Sequence, residues 1–446
     1  MTVPSEGLGV RSQPRPRDAG PPSVPASSVV VVGAGIVGMS VALWLQRHGH
    51  AVTVVDRQPP GHGASCGNAA TIANYHCIPL GNPAIIRQVP SLLFNPDSPL
   101  AIRWTYLPTL APWLVRFLLA SRPGRVAEIA AALAALQHRV DEDYRPLFEM
   151  AGAGDLILRN GSLYLYGSAD SYARARPEIE LRRRHGLPLE EVDAARIAEL
   201  EPNLAPIYHR GILFPGASHV RDPLRLVERF AEAFRARGGT LVLGEVRAVE
   251  RGEDGMVVRT GGAPLTADRV VVAAGAWSRP LARTLGDHIP LDTERGYHVM
   301  FPEGAGLLRR PVGWADIGFY MTPLEGGLRA AGTVEFAGLD APPNPRRTKL
   351  IADGARRLLP QLDQPASEWL GFRPSMPDSL PVIGLSPRND RVVYAFGHGH
   401  LGLTLGGVSG RLVADLIGGR PTTVDTAPYG PGRFSGIPTG RPAHNE

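Results

Sequence analysis

The spacing of apolar residues changes period along the chain, and each change marks a different element. Val29–Val32 is an unbroken run of valines, the pattern of a central parallel strand covered on both faces. Residues 36–48 then carry helical spacing, and Gly49 stands where a helix is expected to end. A second apolar strand over Ala51–Val55 delivers Asp56. Two more buried strands are predicted far downstream, Val270–Ala273 and Val392–Phe396, the latter leading into a loop of glycines and histidines and a helix from about Thr404. Residues 125–152 show helical periodicity closed by glycine. Alternating positions at 155–168 and 291–336 predict antiparallel strands around turns, and no internal repeat is seen. A chain of 446 residues exceeds what one core supports, so two joined domains of α/β character are expected.

The turns between the first elements carry the chemistry. Gly33, Gly35 and Gly38 have G-x-G-x-x-G spacing: Gly33 permits a tight turn, Gly35 lets a pyrophosphate approach the main chain, and Gly38 lets the helix pack close to the strand. The helix start at Ile36 and Val37 turns N–H groups and the positive end of the helix dipole toward a diphosphate. Asp56, followed by Arg57, lies 23 residues after Gly33, where a carboxylate accepts hydrogen bonds from a ribose diol and repels a 2′-phosphate, so NADP is disfavoured. The strand ending at Ala274-Gly275 lies more than 200 residues later, and a simple NAD dehydrogenase has no need to resume its nucleotide domain there. Main-chain groups at Glu245-Val246 are expected to meet adenine. A glycine-lined helix N-terminus near Thr404 suits the electron-rich pyrimidine edge of a flavin, so FAD is the expected cofactor.

Composition narrows the partners. The net charge is +5, Lys349 is the only lysine among 47 basic residues, and no segment clusters basic with aromatic residues, so no nucleic-acid partner is expected. Cys66 and Cys77 are too few and too close for a disulfide framework, which points to a reducing, cytoplasmic setting. Residues 1–27 lack the apolar segment of a secretory signal and read as a disordered tail. No run of about 20 apolar residues is long enough to span a membrane. The segment "YLPTLAPWLVRFLLASRPGR" from Tyr106 is interrupted by Pro108, Pro112 and Arg116 and leaves two readings open, a buried helix over a cleft and an interfacial contact peripheral to the inner membrane. His62, Cys66, His76 and Cys77 lack zinc-ligand spacing, so no metal is expected; Cys66 is read as a small buried thiol, with a flavin neighbour as the alternative.

The motifs "VVVVGAGIVGMSVALWL", "GASCGNAATI", "RVVVAAGAWS", "GFRPSMPDSLPVIG" and "GHGHLGLT" together resemble the FAD-dependent amine and amino-acid oxidoreductases of the D-amino-acid oxidase, glycine oxidase and D-amino-acid dehydrogenase group, from about Val29 to Phe434. The chain looks most like the bacterial D-amino-acid dehydrogenases, and "TERGYHVMFP" with "GHGHLGLT" is similar to members acting on D-proline or cis-4-hydroxy-D-proline. The resemblance implies a two-dinucleotide-type Rossmann FAD domain interleaved with an α+β substrate domain of mixed, largely antiparallel sheet. The FAD domain is expected at 28–80, 205–290 and 366–425, the substrate domain at 81–204 and 291–365, and a C-terminal tail over 426–446 wraps the surface. It also implies hydride transfer from the substrate Cα to flavin N5, an amino-acid substrate, and an electron acceptor such as a quinone. The assembly is a homo- or hetero-oligomer in this reading. Two alternatives stay open, an oxidase of glycine, sarcosine or another secondary amine that uses oxygen, and a non-catalytic FAD-holding subunit.

Carried onto this chain, the resemblance puts Arg373 of "GFRP" at the substrate carboxylate, as a planar guanidinium suits; a structural ion pair is the other reading. Tyr320 matches a strand-borne tyrosine facing substrate, equally well read as a core tyrosine. His400 stands where glycine oxidases carry an arginine, a departure that argues against a second cationic carboxylate clamp there and leaves contact with the flavin or a ring substituent as its reading, and His398 reads as a backbone anchor. Only one of Tyr297 and His298 is expected to face the site. Ser65, Asn68 and Ala69 belong to a loop beside the isoalloxazine, and Gly399, Leu401, Gly402, Leu403 and Thr404 to the loop and helix start at its pyrimidine edge.

Overall fold

A computed structural model describes residues 26–83 and 98–434. Nearly all of the expected 1–27 tail, residues 84–97 of the expected substrate domain and the end of the 426–446 tail lie outside the described residues.

The valine runs form a six-stranded sheet in the order Thr240–Leu243, Ala51–Asp56, Ser28–Val32, Arg269–Val272, Val392–Phe396 and Val382–Leu385, parallel throughout except for the last strand. Both faces are covered, which explains why the strands do not alternate. Val29, Val31, Val54 and Val271 pack under the helices Ile36–Arg47, Pro223–Ala236 and Gly402–Ile417. Val30, Val32, Val270 and Val272 pack instead against a three-stranded antiparallel sheet, Val246–Arg251, Met256–Thr260 and Leu265–Ala267. Helix Pro223–Ala236 begins where Asp222 Oδ1 accepts from the Leu224 and Arg225 N–H groups at 2.9 and 3.0 Å, an N-cap with proline at the first helical position.

A second, nine-stranded mixed sheet stands beside the first. Its long strands Asp292–Phe301, Gly327–Phe336 and Ser367–Ser375 pair antiparallel, with Arg295 opposite Glu335 on one side and Phe372 on the other. Helix Pro345–Leu358 covers the outer face through Ile351, Ala355 and Leu358. The strands Arg210–Phe214 and Ser367–Ser375 pair within this sheet, so the boundaries drawn at 205 and 366 cut across it.

Three local expectations change. The helix read over 125–152 is two, Pro123–Gln137 and Val140–Met150, and both pack on the nucleotide side, where Trp44 Nε1 donates to Asp143 O at 3.3 Å. The C-terminal helix begins at Gly402. Helix Leu107–Ala120 divides its two readings: Leu110 and Trp113 are buried, the latter against Phe336, while Val115, Leu118 and Leu119 are exposed. Among the described residues no helix is long and apolar enough to cross a membrane. The tail runs over the surface as far as it is described, with Tyr429 donating to Ala132 O at 2.6 Å and Arg433 paired with Asp378 at 2.9 Å.

The sheet and its first helix touch at their main chains. A Cβ on Gly38 would stand 1.9 Å from the Gly33 carbonyl oxygen, and one on Gly33, which has φ +114°, would stand 2.3 Å from the Ala273 carbonyl oxygen. Gly38→Ala is therefore expected to destabilise the protein by about 1–3 kcal/mol, read as a lower denaturant midpoint at unchanged slope. An unchanged midpoint would mean that the helix can lift off the strand at no cost.

Candidate active site

A cavity of about 830 Å³ runs from the carboxyl ends of the parallel strands to the inner face of the mixed sheet. At its nucleotide end lie Gly33, Gly35, Ile36, Val37, Asp56 and Arg57. Gly38 does not reach it and serves packing alone. A Cβ on Gly35 would meet only Ser65 Oγ, at 3.1 Å, so this side of the turn is open to a ligand. Ser65 Oγ accepts from the Ile36 N–H at 3.0 Å, at the helix start where a phosphate oxygen would bind. Asp56 accepts from Ala34 N at 2.7 Å and Gln58 N at 3.0 Å; each oxygen keeps a lone pair for a ribose hydroxyl. Arg57 lies over the Trp277 ring at 3.8 Å. Val246, Ala274 and Gly275 complete this half.

Toward the middle, loop 63–71 bends sharply, with Ala70 at φ +57°. Asn68 shapes it rather than aiming its amide at a ligand: Nδ2 donates to Ser65 O at 2.8 Å, and Oδ1 accepts from Ala70 N at 2.7 Å. The mixed sheet holds the loop from outside. Arg329 donates to Cys66 O and Asn68 O at 2.9 and 2.8 Å, Thr322 to Ala69 O at 2.8 Å, and the His298 ring pairs with Gly67 O at 2.9 Å while stacked on Trp369. Burial pulls Arg329 down to about 10, which leaves it cationic at neutral pH, and pushes His298 down to about 4. Cys66 is half-buried with its thiol on Gly63 O, and burial raises its pKa. On the opposite wall are Gly399, Leu401, Gly402, Leu403 and Thr404. Helix Gly402–Ile417 has no side-chain cap, so its first N–H groups remain for a ligand. Thr404 Oγ1 accepts from Ala73 N at 3.0 Å, and Tyr144 donates to Leu403 O. His398 anchors through Ser409 Oγ at 2.7 Å, a side-chain partner in place of the expected main-chain one.

An FAD molecule fits this donor set: a glycine turn with one open face, two helix N-termini and a carboxylate after the second strand.

Beyond the loop, Arg373 donates Nη1 to Thr333 O at 2.8 Å and Nη2 to Gly332 O at 3.4 Å, and it forms no ion pair with a carboxylate among the described residues. Gly296 makes room for it, since a Cβ there would stand 2.2 Å from Nη2. The neighbouring Glu294 accepts from Ser375 Oγ, and burial raises its pKa toward the neutral form. His400 Nε2 lies 3.0 Å from His76 Nε2. The His400 ring borders the cavity, and the surrounding protein, with Arg373, pushes it down to about 4; burial holds His76 well below its usual value too. Tyr320 faces the cavity with its hydroxyl 3.2 Å from that of Tyr75, and burial drives its pKa well up. Tyr164 stacks on Tyr320, and Arg182 and Glu178 close the far end. Tyr297 borders the cavity but spends its hydroxyl on Glu335, while His298 turns to the loop on the other face, as alternation requires. Sequence reasoning missed Arg329, His76, Tyr75 and Arg182. The first joins a loop some 260 residues away, and the others come from segments with no motif of their own.

Comparison with known proteins agrees with this geometry. The family described as FAD dependent oxidoreductase matches residues 28–416. A D-amino-acid oxidase of Bradyrhizobium diazoefficiens is 39% identical over 415 residues, covering 91% of this chain and 98% of the relative. A D-amino acid dehydrogenase of Paramagnetospirillum magneticum is 34% identical over 430 residues, covering 91% and 99%. The solved glycine oxidase from Geobacillus kaustophilus has the same fold, with a TM-score of 0.71 at 24% identity over 92% of this chain and 100% of that one. A valine-stranded sheet with an open glycine turn, two helix N-termini at the cavity and this sequence kinship have one reading: the chain belongs to the D-amino-acid oxidase family of FAD-dependent oxidoreductases.

Proposed function

We propose that this protein is a D-amino-acid dehydrogenase that converts the Cα–N bond of its substrate to an imine, with D-proline and cis-4-hydroxy-D-proline as candidate substrates and a quinone or similar carrier as acceptor. Arg373 carries the reading. It is a half-buried guanidinium on a cavity wall, held by two main-chain carbonyls, whose one acidic neighbour is biased toward its neutral form. Such a fork takes a carboxylate in two parallel hydrogen bonds and stays charged without water.

When bound, FAD supplies the acceptor for the hydride that leaves Cα. The remaining work is positioning. Arg373 fixes the carboxylate, and Tyr320, braced by Tyr75, forms the wall along which the side chain lies. The substrate amine must shed a proton before the hydride leaves. His76 Nε2 and His400 Nε2 share one hydrogen bond, which whichever ring carries the proton there donates to the other. The family's two relatives carry both names, oxidase and dehydrogenase. The exposed Val115, Leu118 and Leu119 favour the dehydrogenase, because an apolar face suits an enzyme that delivers electrons at a membrane surface.

Anaerobic mixing of the yellow protein with D-amino acids should bleach the flavin band near ~450 nm, with little change from the L-isomers. Bleaching by glycine or sarcosine alone would instead select the secondary-amine oxidase reading, and oxygen consumption faster than quinone reduction would select oxygen as acceptor. Arg373→Met should lower kcat/KM about a hundredfold or more, with Arg373→Lys recovering part of the loss. The surrounding protein holds His400 at about 4 and His76 well below its usual value, so both rings are neutral at neutral pH and acid is needed to charge them. The rise of kcat/KM with pH therefore belongs to the substrate amine. His400→Asn should reduce kcat without moving that apparent pKa, and a shift beyond about 0.5 unit would give the titration to the histidine pair instead.

A further inference from the structure

We propose that the cavity holds a second carboxylate subsite built on Arg182, and that D-amino acids whose side chain ends in a carboxylate, the D-aspartate and D-glutamate class, are preferred over the D-prolines named above. This rests on the reading of Arg373 as the clamp for the α-carboxylate and extends it to the far end of the cavity.

Arg182 sits on helix Ala169–Arg184, is 8% exposed, and lines the cavity. Its Nε has no hydrogen-bond partner, and its one ion pair among the described residues, to Glu178 Oε2, spans 3.7 Å, beyond hydrogen-bond reach. Phe214, with its ring centroid 5.7 Å from the guanidinium carbon, attracts the charge but accepts no directed bond. Other arginines of the same helix do find acceptors: Arg183 pairs with Glu180 and Glu191, and Arg176 with Glu191. A guanidinium presents five donors, and burying them unfilled is costly unless a ligand fills them.

Arg182 also belongs to the substrate half of the cavity. Its charge acts on Tyr75, Tyr164, Tyr320 and His76, the same groups that surround the space in front of Arg373. The tyrosine faces that share the cavity with both cations suit the methylenes of a short dicarboxylic chain. Glu178 bears on the same space, but its side chain is 38% exposed and solvated, so it tempers the subsite without filling it. A cationic side chain would meet Arg182 itself.

Anaerobic flavin reduction of the holoenzyme by D-glutamate, D-aspartate, D-alanine, D-proline and D-lysine tests this. The rate constant divided by the dissociation constant should be at least about tenfold higher for a D-dicarboxylate than for D-alanine. Arg182→Met should cut the D-glutamate to D-alanine ratio at least about tenfold, chiefly through binding, and Glu178→Gln should raise it. Reduction by D-alanine with no preference for the acids, or an unchanged ratio in Arg182→Met that retains its flavin, overturns the subsite alone. Preference for D-lysine that is lost in Glu178→Gln overturns it in favour of a cation subsite. Should Arg182→Met fail to hold FAD, the Glu178→Gln ratio decides. No reduction by any D-amino acid overturns the D-amino-acid reading and this subsite with it.

Discussion

The site depends on one half-buried cation, Arg329, which ties together two sheets that are otherwise separate layers. Loop 63–71 follows a strand of the nucleotide sheet, yet its carbonyls are held by Arg329, Thr322 and His298 from the mixed sheet. A buried guanidinium is tolerated only while its donors are filled, so sliding one sheet past the other would strand a charge at a cost of several kcal/mol. Ser65 at the first helix, Asn68 within the loop and Trp369 behind it are all referenced to that clamp. The cavity keeps its shape because the loop cannot move without breaking these bonds together.

Charge in the substrate half is arranged in one sense. Arg373 and Arg182 are cationic, the two histidines are driven neutral, and burial biases Glu294 against its anion. A region with fixed positive charge and few competing anions attracts carboxylates and accommodates negative charge arriving with two electrons. The same region is walled by tyrosines whose hydroxyls burial keeps protonated, so they donate and accept hydrogen bonds without adding charge.

Much of the nucleotide half was legible from the order of residues, and the reason is local. Gly33, Gly38 and Asp56 act within one strand-helix-strand unit, where spacing dictates position, and the valine runs announce burial on both faces. The substrate half was legible only at Arg373, through its motif. Asn68 lines the cavity on its expected loop, but what its amide does was not legible, because a polar side chain there reads the same whether it faces the ligand or folds the loop. His400 was singled out without its partner, since His76 lies 324 residues earlier and no periodicity connects them. The break at His138–Arg139 was hidden because both helices keep the same apolar period, and the pairing of Arg210–Phe214 and Ser367–Ser375 within the mixed sheet was not visible because pairing is a long-range choice.

The strand Val392–Phe396 lies inside the parallel sheet, between Arg269–Val272 and Val382–Leu385, though it comes from the last part of the chain. During synthesis the strand Arg269–Val272 therefore waits with an open edge until more than a hundred further residues have left the ribosome. The helix that would face the flavin ring emerges later still. The cofactor's binding surface is thus completed only after residues 392–417 have been made, and the nascent chain must protect a bare edge of valines until then.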